Sequence, residues 1–262
     1  HTEYYRYDYD SSYFRSFNPS ETGAYSVSFL SWNTSFVKDN KTSHSNANFE
    51  KFKEYRLIIA WRLANQNLNF LSNPQSFTDT VTGGVYPVGY GPTSQDVLIP
   101  AFLAAYTGKD PNTVSIHAFS EKFSLRDLPV PNWRITYDGL TKIAFIKKYF
   151  KTLSLSHSYK STYSIGSYAT NIRYNDSNGD GLSDIREELS NNYIPRRAIA
   201  QMTITEMFSP LLNIDMTWNN SLLTNVEVKK SRDLSLSFAN NQLTEVSSSE
   251  FIIGLGYRIK NV

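Results

Sequence analysis

The chain of 262 residues contains no cysteine, which excludes disulfide staples, a cysteine nucleophile and every thiolate metal site. Charge is sparse as well: 19% of residues are charged, below the roughly 25% of an ordinary soluble domain. With 26 Lys+Arg against 24 Asp+Glu, the net charge of +2 gives no electrostatic ground for a nucleic-acid partner. No run approaches the roughly 20 apolar residues of a membrane-spanning helix, so any bilayer role would fall to strands. His1, His44, His117 and His157 are far apart, and no pair has metal-ligand spacing. There is no G-x-S-x-G elbow, no P-loop and no G-x-G-x-x-G, so no enzyme is expected. What is abundant is aromatic: 18 Tyr, 16 Phe and 4 Trp make up 15% of the chain. The start, HTEYYRYDYD, has neither initiator Met nor signal-peptide pattern, as expected of a mature or excised chain, whereas FIIGLGYRIKNV ends in strand pattern like a native C-terminus.

Apolar and polar residues alternate with period two over much of the chain, as half-exposed strands require. Leu153 and Leu155 alternate with Ser154, Ser156 and Ser158. Met202 and Ile204 oppose Thr203 and Thr205; Ile214, Met216 and Trp218 oppose Asp215, Thr217 and Asn219. Val226 and Val228, then Leu234 and Leu236, then Phe251, Ile253, Leu255, Tyr257 and Ile259 continue the pattern, as do Tyr5, Tyr7 and Tyr9, and Tyr25 and Val27 near the start. About ten strands follow, an all-β antiparallel meander rather than βαβ units. The phase slips at Phe29-Leu30 and at Gly166-Ser167, which predicts β-bulges. On a soluble sandwich the polar row would carry Lys and Glu. Here it is mostly Ser, Thr and Asn, with Lys and Arg near strand ends, which favours a water-filled lumen on one side and lipid on the other, with Tyr and Trp at the interfaces.

Residues 38–131 do not read as strands and divide the chain into barrel strands at 1–37, a mostly helical insertion, and C-terminal barrel strands at 132–262. Phe49, Phe52, Tyr55, Ile59 and Leu63 predict an amphipathic helix over 50–63. Thr93 opens T-S-Q-D, a capping sequence for a second helix through Tyr106 that Gly108 stops and Pro100 should kink or shorten. TVTGGVYPVGYGPT between them predicts a loop, and LPVPNW ends the excursion before a strand at Trp133. An insertion of this size sits on the rim of a barrel or folds into its lumen.

DSNGDGLSDIREE at 176–188 fits the calcium-loop pattern D-x-[DN]-x-[DN]-G-x5-E. Asp176, Asn178, Asp180 and Asp184 supply side-chain oxygens, Leu182 its carbonyl and Glu187 a bidentate carboxylate, while Gly181 permits the sharp turn that Ca²⁺ coordination needs. Strands rather than paired helices flank it, and an Asp/Asn/Gly-rich hairpin loop needing no ion has the same composition. The paired cations Lys147-Lys148, Arg196-Arg197 and Lys229-Lys230 read as solvated rim charges, or as headgroup and pore-rim charges beside a bilayer.

The last strand, Gly254-Leu255-Gly256-Tyr257-Arg258-Ile259, resembles the C-terminal β-signal of outer-membrane barrels, although Ile252 stands where a polar residue is preferred. Longer runs carry a family resemblance: GPTSQDVLIPAFLAAYTGKDPNTVSI (91–116), PNWRITYDGL (131–140), LSLSHSYKSTYSIGSY (153–168), FSPLLNIDMTWNNSL (208–222) and RDLSLSFANNQLTEV with SSEFIIGLGYRIK (232–260). They resemble the C-terminal region of SprA/Sov, the outer-membrane translocon of the type IX secretion system of Bacteroidetes, a family also tied to gliding motility. The resemblance covers most of the chain and implies part of a very large transmembrane β-barrel that passes folded cargo proteins. It implies the rest of the translocon chain, a PorV-type shuttle barrel, a periplasmic plug protein, cargo and the lipid bilayer as partners. The polar row, including Ser154, Ser156, Thr203, Ser235 and Ser237, would then be a hydrated lumen wall, and the 38–131 insertion a cap, a lateral-gate element or a lumen filler. Counting back from a periplasmic C-terminus suggests that the 176–188 loop lies outside the cell, a count that turns on whether Asn219-Asn220 and 230–233 are both turns. Two other organisations fit the same rows: a stand-alone porin or uptake barrel of about ten strands, and a soluble calcium-dependent surface-binding β module.

Overall fold

A computed structural model describes residues 2–10, 13–28, 34–37, 42, 45–116 and 132–259, with 2–20 as backbone alone. Chain order runs β1 (Thr2–Asp10), β2 (Tyr13–Ser28), α1 (Ala47–Ala64), α2 (Leu68–Ser72), β3 (Ser76–Thr78), β4 (Val85–Pro87), α3 (Gln95–Thr107), β5 (Trp133–Tyr137), α4 (Ala144–Lys147), β6 (Phe150–Thr170), β7 (Arg197–Ile199), β8 (Gln201–Trp218), β9 (Leu222–Ser237) and β10 (Gln242–Tyr257). Eight of the strands form one open antiparallel sheet in the order β1-β2-β6-β8-β9-β10, with β5 and β7 also paired to β6. The expected meander is present. Among the described residues the sheet does not close into a barrel, and β1 and β10 are its edges.

Two strand lines are interrupted. Ser28 opposes Thr162 and Trp133 opposes Tyr159, so β2 and β5 are halves of one line along β6. The insertion leaves and re-enters at a single point: Asn132 Nδ2 donates to Ser28 Oγ at 3.2 Å, and its Oδ1 accepts the Ser161 N–H at 2.8 Å. Among the described residues this strand is traced to Ser28, and 34–36 form a turn. On the other side of β6, β7 and β8 share a line, giving six strand lines in all among the described residues.

The strands are longer than the alternation suggested. Met202 and Ile214 lie on one strand, β8, which bulges between Phe208 and Leu212. Pro210, having no N–H, cannot serve the ladder there. The bulged carbonyls are taken up by β6: Ser158 Oγ donates to Ser209 O, and His157 Nδ1 lies 2.7 Å from Leu211 O. Residues 230–233 are mid-strand in β9 rather than a turn, whereas 219–221 does turn. The bulge expected at Gly166-Ser167 is present, since Gly23 opposes Tyr168 but Tyr25 opposes Ile165. The slip expected at Phe29-Leu30 lies outside the described residues.

Both predicted helices form. Asn46 caps α1 by accepting the Phe49 N–H at 2.9 Å. α3 runs through Pro100 to Gly108, which takes φ 71, so the proline does not shorten it. The Gly/Pro loop between them contains a hairpin, β3–β4, instead of being wholly irregular. α3 is buried on nearly every side. It packs against α1 and reaches the sheet through Gln95, whose amide bonds Arg197 O and the Ile199 N–H.

Candidate functional site

Opposed residues of an antiparallel ladder share a face, so the register separates the two faces. One carries Leu153, Leu155, His157, Tyr159, Ser161, Tyr163 and Ile165 of β6, with Met202, Ile204, Glu206, Phe208, Leu212, Ile214 and Met216 of β8. β9 adds Leu222, Val226, Val228, Lys230, Arg232, Leu234 and Leu236 to it, and β10 adds Leu243 to Tyr257 at odd numbers. The other face carries Ser154, Ser156, Ser164, Thr203, Asn213, Asp215, Asn225, Ser235 and Ser237. Its groups satisfy one another: Ser164 and Thr203 hydroxyls lie 2.6 Å apart, Gln201 donates to Ser235 at 2.6 Å, and Asn225 donates to Asn213 and Asp215. Val246 and Ile252 are exposed exceptions on this polar face.

The apolar face has two halves with opposite fates. Toward the 171–196 loop, Tyr163, Ile165, Met202, Ile204, Leu234 and Leu236 are buried in one cluster with α1 and α3. This half of the row expected to face lipid faces protein instead. It also places the helices on the apolar side, away from the Ser/Thr/Asn row. Toward the 219–221 turn nothing covers the sheet among the described residues. Phe251, Ile253, Leu255 and Tyr257 are 65%, 60%, 75% and 66% exposed, and Ile135, Tyr137 and Leu212 are bare too.

Aromatic rows bound the bare half. At its inner edge Trp133 stacks on Tyr159 at 4.7 Å and Tyr159 meets Phe208 at 5.0 Å. At its outer edge Phe150 and Trp218 lie 4.3 Å apart, at the level where Tyr257 opposes Leu222. From Lys230 to Leu222 and from Ser249 to Tyr257 are nine residues each, within the roughly 9–11 that a tilted strand uses to cross hydrocarbon.

Between the halves runs a polar waist that alternation did not reveal, because its charged residues looked like a turn. Arg232 and Glu206, both fully buried, form an ion pair through Nη2 and Oε2. Arg232 Nη1 donates to Thr34 O at 2.7 Å and lies 3.9 Å from Glu245 Oε1. Glu206 Oε1 accepts from Ser35 at 2.7 Å and from Tyr159 at 3.1 Å, and Asn46 donates to Glu245 at 2.8 Å. The waist thus fastens the insertion to β8, β9 and β10.

The 176–188 loop is well ordered by its own groups. Asp176 accepts N–H bonds from Gly179, Asp180 and Gly181; Asn178 Oδ1 accepts from Asp180; Asp180 Oδ1 accepts from Leu182. Gly181 adopts φ 83, the turn the pattern requires. Asp184 accepts from Ser177 and Asn69, contacts that hold it below the usual carboxylate range. Glu187 Oε2 accepts from Ser190 Oγ at 2.8 Å. Among the described residues no three His, Cys, Asp or Glu side chains gather as a metal site. A Ca²⁺ ion would have to draw Glu187 from Ser190 and share the oxygens of Asp176, Asp180 and Asp184 with their present donors.

Sequence reasoning missed the loop's attachment. Asp180 Oδ2 accepts the Leu68 N–H at 2.8 Å, Asn67 donates to Ser183 O at 3.3 Å, Leu182 is buried, and Tyr193 packs on Tyr90 at 5.0 Å. The loop clamps the insertion from the side opposite the waist. Near this clamp Asp96, in the first turn of α3, is pushed up to about 7 by burial.

No protein-family model matches the chain, and no curated protein matches it.

Proposed function

We propose that the chain is part of the wall of a large β-barrel in a bacterial outer membrane, and that this barrel conducts folded proteins in the manner of the type IX secretion translocon, with its link to gliding motility. The observation that carries the membrane placement is the bare apolar band between two aromatic rows, backed by a Ser/Thr/Asn face. An aromatic-girdled apolar band opposite a polar face is the signature of a barrel wall. Conduction of protein rests on the family resemblance of the long sequence runs. The polar face is compatible with it: its Ser, Thr and Asn groups are hydrogen-bonded among themselves, and its charges are of both signs, with Lys229 paired to Glu227 at 3.3 Å beside Lys160, Asp215, Asp233 and Glu250.

Two unpaired edges cannot be left in hydrocarbon, so β1 and β10 would pair with the rest of the translocon chain. Six strand lines are fewer than the eight of the smallest membrane barrels, which weighs against a stand-alone porin. Short turn 219–221 and Tyr257 share one end of the sheet, while loop 171–196 and the helices sit toward the other. Turn 238–241 at that other end is short too, but 171–196 is the longest loop between neighbouring strand lines among the described residues, and the longer loops of such barrels are extracellular, so the loop, α1 and α3 would lie outside the cell, on the barrel's outer flank. A PorV-type shuttle barrel, a periplasmic plug and the cargo are the partners this role implies, with gating left to them rather than to bond-making residues.

Expressing the chain with and without detergent tests the placement. A partial wall requires detergent and conducts no ions by itself; a stable, detergent-free monomer would refute it. Ca²⁺ binding by Asp176, Asn178, Asp180, Leu182, Asp184 and Glu187 is proposed beside this, on the ligand order and the turn at Gly181. Because Glu187 must leave Ser190, the affinity belongs to the weak class of roughly 10⁻⁴–10⁻³ M. Calorimetry should show that heat and its loss in Asp180→Ala; no heat in that range ends the proposal.

A further inference from the structure

The connection between β5 and β6 combines cations with bare apolar side chains. Lys142, Lys147, Lys148 and Lys151 are exposed, Asp138 is the single acidic residue of the segment, and none of the four lysines forms an ion pair among the described residues. Ile143, Phe145 and Tyr149 are exposed in the same stretch, Phe145 by 72%. Phe145 and Tyr149 meet edge to face at 5.5 Å, and the Lys148 ammonium lies 5.7 Å from the centre of the Tyr149 ring.

The segment is held in place. Asn219 Nδ2 donates to the carbonyls of Lys147 at 3.3 Å and Lys148 at 2.9 Å, and the Asn219 N–H donates to Tyr149 O at 3.0 Å. These bonds fix it at the level of the Phe150–Trp218 pair, where the bare band ends. Aromatic tips beside lysine heads on long stems are the composition of segments that lie in a membrane interface.

Resting on the membrane placement above, we propose that 142–151 is a docking surface for anionic phospholipid headgroups at the 219–221 end of the wall. Lys142, Lys147, Lys148 and Lys151 face the lipid phosphates while Phe145 and Ile143 enter the acyl boundary. Each lysine near an anionic surface contributes about fivefold in affinity, so the four together give roughly several hundredfold, of which Lys142, Lys147 and Lys148 supply about a hundredfold.

The test is flotation of the detergent-solubilised chain with vesicles of phosphatidylcholine alone and with added phosphatidylglycerol. It compares the wild type, K142Q/K147Q/K148Q and the matching Lys→Arg triple, with circular dichroism in detergent as the folding control. The expected result is equal binding of all three to neutral vesicles. Phosphatidylglycerol should then add roughly several hundredfold for wild type and Arg triple, about a hundredfold of it lost in the Gln triple and most of it at about 0.5 M salt. A phosphatidylglycerol gain that is absent, or the same in the Gln triple, overturns the docking surface while neutral-vesicle binding leaves the membrane placement standing. Lysine-dependent binding to anionic vesicles with none to neutral ones keeps the surface and refutes the placement. Binding to neither refutes both.

Discussion

Removing Arg232 alone should harm the fold far more than removing Arg232 and Glu206 together. Arg232→Met deletes the charge opposite Glu206, whose side chain is fully buried and whose remaining donors among the described residues are the hydroxyls of Ser35 and Tyr159 on one oxygen. It also removes the bond to Thr34 O. Breaking a buried pair by deleting one partner costs about 3–5 kcal/mol, because the survivor stays desolvated. For a chain of this size that is a fall in Tm of roughly 10 °C. In R232M/E206Q the stranded charge is gone, and most of the loss should return. The assay is thermal unfolding in the detergent that keeps the chain folded, with hydrogen exchange on α1 and α3, whose amides should open first in R232M. A single variant costing under about 1 kcal/mol, or a double costing as much as the single, would refute the idea that this pair bolts the insertion to the sheet.

Two further perturbations probe the clamp around the loop. Burial raises the Asp96 pKa from the ordinary carboxylate range to about 7, so between these values the folded state holds a proton that the unfolded state has released. Stability from this group is therefore full below about pH 4 and falls as pH rises through 7. Asp96→Asn should raise Tm at pH 8, with the gain fading toward pH 4; a pH-independent effect would exclude Asp96 as its source. Gly89 has φ 98, and a Cβ there would stand 2.3 Å from the Tyr193 ring. Gly89→Ala should thus cost about 2 kcal/mol or more in thermal unfolding, and a neutral result would contradict the Gly89–Tyr193 packing.

Period-two alternation made the β-class legible, and the helix at 50–63 and the bulge at Gly166-Ser167 were equally readable. Strand length was not. Lys229, Lys230, Arg232 and Asp233 look like a turn, yet they continue β9, since Arg232 has Glu206 opposite it on β8. Ser209-Pro210 likewise looks like a break, yet β8 carries it as a bulge whose carbonyls are bonded by Ser158 and His157. The two fates of one apolar row were illegible for a simpler reason: Met202 and Ile253 obey the same alternation, and only the docking of α1 and α3 separates them. In the calcium-like loop the ligand order was plain from the sequence. Its attachment to Leu68, Asn67 and Asn69 depends on residues more than a hundred positions away, which no local pattern encodes.

Lipid exposure of the bare half can be measured directly, because the chain has no native cysteine to compete with introduced ones. Single cysteines at Ile253 and Leu255, at Met202 and Leu234, and at Asn225 and Ser235 would carry an environment-sensitive fluorophore in bilayers containing nitroxide-labelled lipid. Quenching by the lipid probe at 253 and 255 is predicted, with protection from lipid at 202 and 234 beneath the helices and quenching by aqueous iodide at 225 and 235. Iodide quenching at 253 and 255 without lipid quenching would contradict a wall embedded in the membrane.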